Sequence, residues 1–273
     1  MFSRALVLVL TLTLLPAGIL STWSSSEPKP TKVWLKENPA NSTPIDHSAW
    51  SGFLQTYITQ DHDGLNRLAY ATVSTEDKAT LNSYVEMLSK IEITDRARAV
   101  QRAYWLNLYN ALTVSVILDH YPVKSIKDID TSGLLSNGPW GEILLKVENT
   151  EISLDIIEHD ILRPIWHDPR THYGVNCASI GCPNLHTQAF TAVNTEALLD
   201  QLASDYINST RGVLVEDGDI TVSKIYQWFA YDFGNSEDAV LAHLSKYAAP
   251  ELKIELQEIG EISGADYNWA LNE

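Results

Sequence analysis

The chain has 273 residues, of which 19 are Lys or Arg and 35 are Asp or Glu, giving a formal charge of −16, and 45% are hydrophobic, with 8 Trp and 12 Tyr. So acidic a surface repels nucleic-acid phosphates and anionic membranes, and neither is expected as a partner, apart from membrane contact through an N-terminal segment. The apolar and aromatic content is enough to bury one substantial core, and one domain is the simplest count.

Residues 1–21 carry one early positive charge, Arg4, followed by an apolar run from Ala5 to Leu20 that is broken by Pro16 and Gly18. This is the pattern of a signal peptide, and it predicts a periplasmic or secreted protein. No clean small-x-small cleavage site stands out, so retention of the segment as an anchor stays open. Residues 22–44 are rich in Ser, Pro, Lys and Asn without apolar periodicity and read as a flexible linker. The domain is expected over residues 45–273.

Within it, Trp50, Phe53, Leu54, Tyr57 and Ile58 recur at three-and-four spacing and predict a first helix. Ser74 and Asp77 form a capping-box start for a second, with Leu81, Tyr84, Val85 and Leu88 on its buried face. A third runs from about Asp95, after a Thr94 cap, to about His120 before Pro122. It is apolar on nearly every side from Tyr104 to Leu118, so Asn107 and Asn110 lie buried on one face. Each needs partners; they either tie down neighbouring backbone or orient a catalytic group or carbonyl.

Ile143–Val147 and Glu151–Leu154 predict a hairpin around Asn149. Ser153 or Asp155 then caps a short helix bearing Glu158 and His159, which Arg163 and Pro164 end. His159 is a candidate base or ligand. The stretch THYGVNCASIGCPNL, residues 171–185, gathers His172, Asn176 and both cysteines, Cys177 and Cys182, on a predicted strand from His172 to Val175 and the turn that leaves it. Further on, Leu198, Leu199, Leu202 and Tyr206 mark a helix and Asp217-Gly218 a hairpin. In SKIYQWFAYDFG, Tyr226, Trp228, Phe229 and Phe233 read as core, with Gln227 and Asp232 as polar exceptions. A helix from about Ser236 to Tyr247 follows. The predicted fold is α+β: a mostly helical single domain with a small, largely antiparallel sheet built from hairpins.

Several of these blocks carry a resemblance. WLNLYNALTV, HYPVKSIKDI, ISLDIIEHDILRP, HYGVNCASIGCPNL, ITVSKIYQWFAYDFG and DYNWALN, in this order between Trp50 and Asn272, resemble the family called domain of unknown function 547. The resemblance implies functional interest in Asn107 and Asn110, Glu158 and His159, and Cys177 and Cys182. Where relatives tend to carry Tyr-Asp-Trp near the end, this chain has Tyr267, Asn268 and Trp269, which weakens any role for a carboxylate there. Some eukaryotic relatives carry the domain beside glutaredoxin-like domains, a hint of thiol chemistry by association.

Two functions follow from the residues. Cys177 is a candidate nucleophile of a hydrolase or transferase acting on an acyl or peptide substrate. On an extended strand His172 would stand about 16 Å away and on the opposite face, so His159 is the preferred base, oriented by another group, Asn107 or Asn110. Asn110, Glu158, His172, Asn176 and Cys182 are the expected binding residues. Alternatively, a Cys177–Cys182 disulfide stiffens a loop of a non-enzymatic recognition module. The partner is then a small molecule or a cell-envelope protein or peptide. Glu158, His159, His172 and Cys177 are of metal-ligand type but lack a recognised spacing, and phosphate-loop and dinucleotide glycine patterns are absent, so neither a metal nor a cofactor is expected.

Overall fold

The structure is a computed structural model, and it describes residues 23–129 and 138–273; the expected signal segment lies outside the described residues. Trp50, Phe53, Leu54 and Tyr57 bury one face of α1 (Ser48–Tyr57), which leads into a short hairpin, β1 (Ile58–Gln60) and β2 (Asn66–Leu68). Helix α2 (Thr75–Ser89) starts as its sequence predicts, with the Ser74 hydroxyl accepting from the Asp77 amide at 3.0 Å. The central helix α3 (Arg98–His120) is buried from Val100 to Val114 on every side. It begins later than expected, because Thr94 makes no cap: its amide and hydroxyl both donate to the Glu148 carboxylate, at 2.7 and 2.8 Å.

The next hairpin, β3 (Leu145–Val147) and β4 (Thr150–Ile152), turns through Glu148 and Asn149, both at positive φ, as a two-residue turn of that hand requires. Ser153 caps the helix that follows by accepting from the Ile156 amide at 3.1 Å. From Ile156 to Leu162 this helix is a π-helix, continued by α4 (Arg163–Trp166). Arg163 and Pro164 therefore do not end it.

The predicted strand at His172 is instead a single helical turn, α5 (Thr171–Gly174). Helix α6 (Thr195–Ile207), the hairpin β5 (Val213–Glu216) and β6 (Asp219–Ser223), the short α7 (Ile225–Trp228) and α8 (Glu237–Tyr247) follow. Helix α9 (Pro250–Ile259), unforeseen from sequence, and β7 (Gly264–Asp266) complete the order. β7 pairs parallel to β6, so the one three-stranded sheet among the described residues is mixed, beside two antiparallel hairpins. The architecture is α+β and mostly helical, with one continuous hydrophobic core around α3. Among the described residues no helix is long and apolar enough to cross a membrane.

The stretch expected to be a flexible linker is laid along the domain. Trp34 is 2% exposed and packs edge-on against Trp105, with ring centres 4.9 Å apart. Trp23 is also buried, and the Thr31 amide donates to the Asp160 carbonyl at 3.2 Å. Burying two indoles outweighs a composition that otherwise favours a solvated chain.

Candidate functional site

A cavity of about 200 Å³ opens where the π-helix, α5, the loop after it and the C-terminal segment meet. Glu158 and His159 reach it from the π-helix, His172 from α5, and Cys177 and Cys182 from the loop. Its remaining wall is largely aromatic: Trp140, Trp228, Phe229, Tyr267 and Trp269. The helical turn at α5 explains how His172 and Cys177 come to share one cavity when an extended strand would have separated them.

The two asparagines of α3 act as backbone clamps. Asn107 donates to the Phe190 carbonyl at 2.8 Å and accepts from the Phe190 amide at 2.9 Å, and it does not line the cavity. The expected role of Asn107 in orienting a histidine is thus corrected: its side chain is tied to the Phe190 backbone, away from the cavity. Asn110 does the same for the approach to the cysteines, donating to the Gly174 carbonyl at 2.9 Å and accepting from the Asn176 amide at 2.8 Å. Asn176 then folds the turn itself, accepting from the Ala178 amide at 2.9 Å, where Ala178 has a φ of 59°, and donating to the Pro183 carbonyl at 2.7 Å.

Both cysteines are free, so the expected disulfide is not formed. The loop is held without it. The Ile180 and Gly181 amides donate to the carbonyls of Ala270 and Asn268, each at 2.8 Å, and the Tyr206 hydroxyl donates to the Gly181 carbonyl at 2.6 Å. Within the loop, Cys182 Sγ accepts from the Cys177 amide at 3.0 Å and from the Tyr267 hydroxyl at 3.2 Å. Cys177 Sγ lies 3.1 Å from the Tyr267 hydroxyl and 3.2 Å from that of Ser179. An amide hydrogen can only be donated, so Cys182 is the sulfur built to carry negative charge. Burial alone would push its thiol up, but hydrogen bonds from Cys177, Tyr267 and the amide bring it down to about 7. Burial pushes the Cys177 thiol the other way, well above the usual cysteine range, and the neighbouring Cys182 sulfur adds to the effect. The thiolate therefore forms on Cys182 rather than on Cys177.

Neither thiol is hydrogen-bonded to a histidine among the described residues; the imidazoles belong to a separate charged cluster in the same cavity wall. His172 is 3% exposed, with Nε2 2.7 Å from Asp232 Oδ2 and Nδ1 3.6 Å from Glu158 Oε1, and its ring stacks on Phe229 at 4.2 Å. Burial disfavours its charged form, yet the two carboxylates more than compensate and raise its pKa. Glu158 also accepts from the Tyr109 hydroxyl at 3.1 Å. Burial works against its charge, but His159, His172 and Arg163 hold its carboxyl down to about 2. Arg163 Nε donates to Asp232 at 2.5 Å and its Nη1 to His159 Nδ1 at 3.2 Å. A guanidinium only donates, so the His159 Nδ1 is taken up by Arg163 and its Nε2 is the nitrogen that faces Asp155, 3.7 Å away. Consecutive residues would leave an α-helix about 100° apart; the wider π-helical turn carries both Glu158 and His159 to the cavity, as such turns often do at functional sites.

Sequence reading missed Asp232, Arg163, Tyr109 and Tyr267. Asp232 stood out as a polar residue in an aromatic run, the signal that it needed a basic partner. Trp228, expected in the core, is 40% exposed and forms part of the cavity wall.

Residues 93–207 match the model of the family described as protein of unknown function, DUF547. Over this stretch the chain is similar to the DUF547 family. The match spans Asn107, Asn110, Trp140, Glu158, His159, His172 and both cysteines, while Asp232, Tyr267, Trp228 and Trp269 lie outside it. The matched region thus supplies the thiols, the imidazoles and Trp140, and the chain after it supplies the rest of the aromatic wall. No curated protein and no solved structure matches the chain. Among the described residues, no group of three or more His, Cys, Asp and Glu side chains is disposed to hold a metal ion.

Proposed function

We propose that this protein is a cysteine-dependent acyl hydrolase or transferase, with Cys182 as nucleophile and Cys177 as its proton partner. The observation that carries the reading is the hydrogen-bonded sulfur of Cys182 in the wall of an aromatic cavity, with a second thiol beside it. The Cys182 thiolate attacks the substrate carbonyl carbon, forming an S–C bond as the C=O electron pair moves to oxygen. His159 Nε2–H donates a hydrogen bond to that oxygen without giving up its proton. Collapse of the intermediate expels the leaving group, which takes its proton from Cys177. Water or an acceptor alcohol or amine then attacks the thioester, returns a proton to the Cys177 thiolate and releases the Cys182 thiolate. Tyr267 positions both sulfurs, and an exported location is part of the same proposal.

Incubation with p-nitrophenyl acetate, followed by intact-mass and peptide mapping, tests it. The expected result is turnover by the wild-type protein, no adduct in Cys182→Ser, and an acetyl adduct on Cys182 that persists in Cys177→Ser. Equal acetylation of wild-type and Cys182→Ser protein would overturn it.

A further inference from the structure

We infer that the cavity takes an organic cation: an acyl donor whose apolar body ends in a protonated amine or a quaternary ammonium group. The inference rests on the thiol-enzyme reading for its acyl group, and on independent features of the cavity for its charge.

The first is the wall. Trp140, Trp228, Tyr267 and Trp269 pack on one another, with Trp269 centred 4.7 Å from Tyr267, 5.6 Å from Trp228 and 5.7 Å from Trp140. The faces of these rings attract cations. The fold already makes one such contact, with Lys127 Nζ lying 4.9 Å over the Trp269 ring.

The second is a carboxylate without a close partner. Asp155 lines the same cavity with its side chain 48% exposed, and among the described residues its basic neighbour is His159 Nε2 at 3.7 Å, beyond hydrogen-bond reach. The other cations are committed elsewhere. Arg163 is engaged by Asp232 and His159, and His172 by Asp232 and Glu158. Burial and the nearby charges of Glu158 and Asp160 raise the Asp155 pKa against the pull of His159, the mark of a site short of positive charge.

These features together discriminate between ligands. A neutral ring would stack equally well on the tryptophans, but sealing the mouth would strip water from Asp155 without replacing it. An anion would meet Asp155, Glu158 and the Cys182 thiolate. A cation gains the aromatic faces and compensates Asp155 at once. The chain's −16 charge favours its approach.

The test is fluorescence titration of the full chain with three probes of one shape: choline, neutral dimethylbutanol and anionic dimethylbutyrate. Choline is expected to bind about tenfold or more tighter than dimethylbutanol, as for a partly desolvated cation–π site, with dimethylbutyrate weakest. Asp155→Asn and Trp269→Leu should each erase the preference, and Trp269→Phe, which keeps a π face, should retain most of it. Equal binding of choline and dimethylbutanol, no binding of choline, or an unchanged preference in both Asp155→Asn and Trp269→Leu would overturn the inference. Acetylation of Cys182, followed in parallel, separates the two readings: an adduct without cation preference removes this inference alone, and cation preference without an adduct removes the thiol chemistry and leaves the cation site.

Discussion

Asp232→Asn removes one negative charge from the buried cluster and keeps the side chain's shape. Asp232 is 10% exposed at its side chain, and one oxygen serves both His172 Nε2 at 2.7 Å and Arg163 Nε at 2.5 Å. Removing one partner of a buried ion pair typically costs about 3–5 kcal/mol. Because asparagine still offers a carbonyl oxygen, the lower end, about 3 kcal/mol, is expected. For a chain of this size that is roughly 6–12 °C in Tm. The pH dependence gives a sharper test. Glu158 and Asp232 have lowered pKa values, so their contribution is present above their ordinary 4.5 and 3.8 and fades as pH falls through the folded values. His172 has a raised pKa, so its contribution is complete below its ordinary 6.5 and is lost as pH rises through the higher folded value. The Tm gap between wild-type and Asp232→Asn should therefore be largest between 4.5 and 6.5 and narrow on the alkaline side. Differential scanning calorimetry from pH 4.5 to well above 6.5 decides it. A gap below about 0.5 kcal/mol, the scale of an ordinary surface substitution, or one that widens with pH, would refute the charged arrangement.

Asn110→Ala should cost about 2–4 kcal/mol, since it strands the Gly174 carbonyl and the Asn176 amide, and should also slow Cys182 alkylation; Asn107→Ala should be similarly destabilising in urea but leave alkylation unchanged, because its partner is Phe190. Gly181→Ala places a methyl group 2.9 Å from the backbone N and O of Asn268, so it should loosen the C-terminal segment and raise amide exchange at Ile180 and Gly181. Tyr267→Phe removes a donor to Cys182 Sγ and should shift the midpoint of its alkylation profile upward.

Much of the helical frame was legible because hydrophobic period and caps agreed: Ser74 with Asp77, the all-round apolar α3, and Ser236, which accepts from Ala239 at 3.2 Å as the cap of α8. Helix α9 was overlooked although Pro250 opens it and Gly260 closes it at a φ of 69°. Its mostly exposed surface gives a weak apolar stripe, and the two end signals were its best evidence. The residues around Cys177 were identified, yet their roles were not. His172 looked like strand because Tyr and Val favour one, but a single turn of helix satisfied the burial of Thr171 to Gly174. The activation of Cys182 depends on a Tyr267 hydroxyl 85 residues away, and the charge on His172 on an Asp232 60 residues away. Such pairings are set by tertiary packing, which local spacing does not encode.

The central claim is that Cys182, and not Cys177, carries the thiolate. It is tested most directly by alkylating the unreduced protein with iodoacetamide across pH and following each cysteine by peptide mass. The expected result is that both thiols are free and that Cys182 reacts faster, with a midpoint near 7. Two thiols blocked until reduction, or Cys177 reacting first, would contradict it.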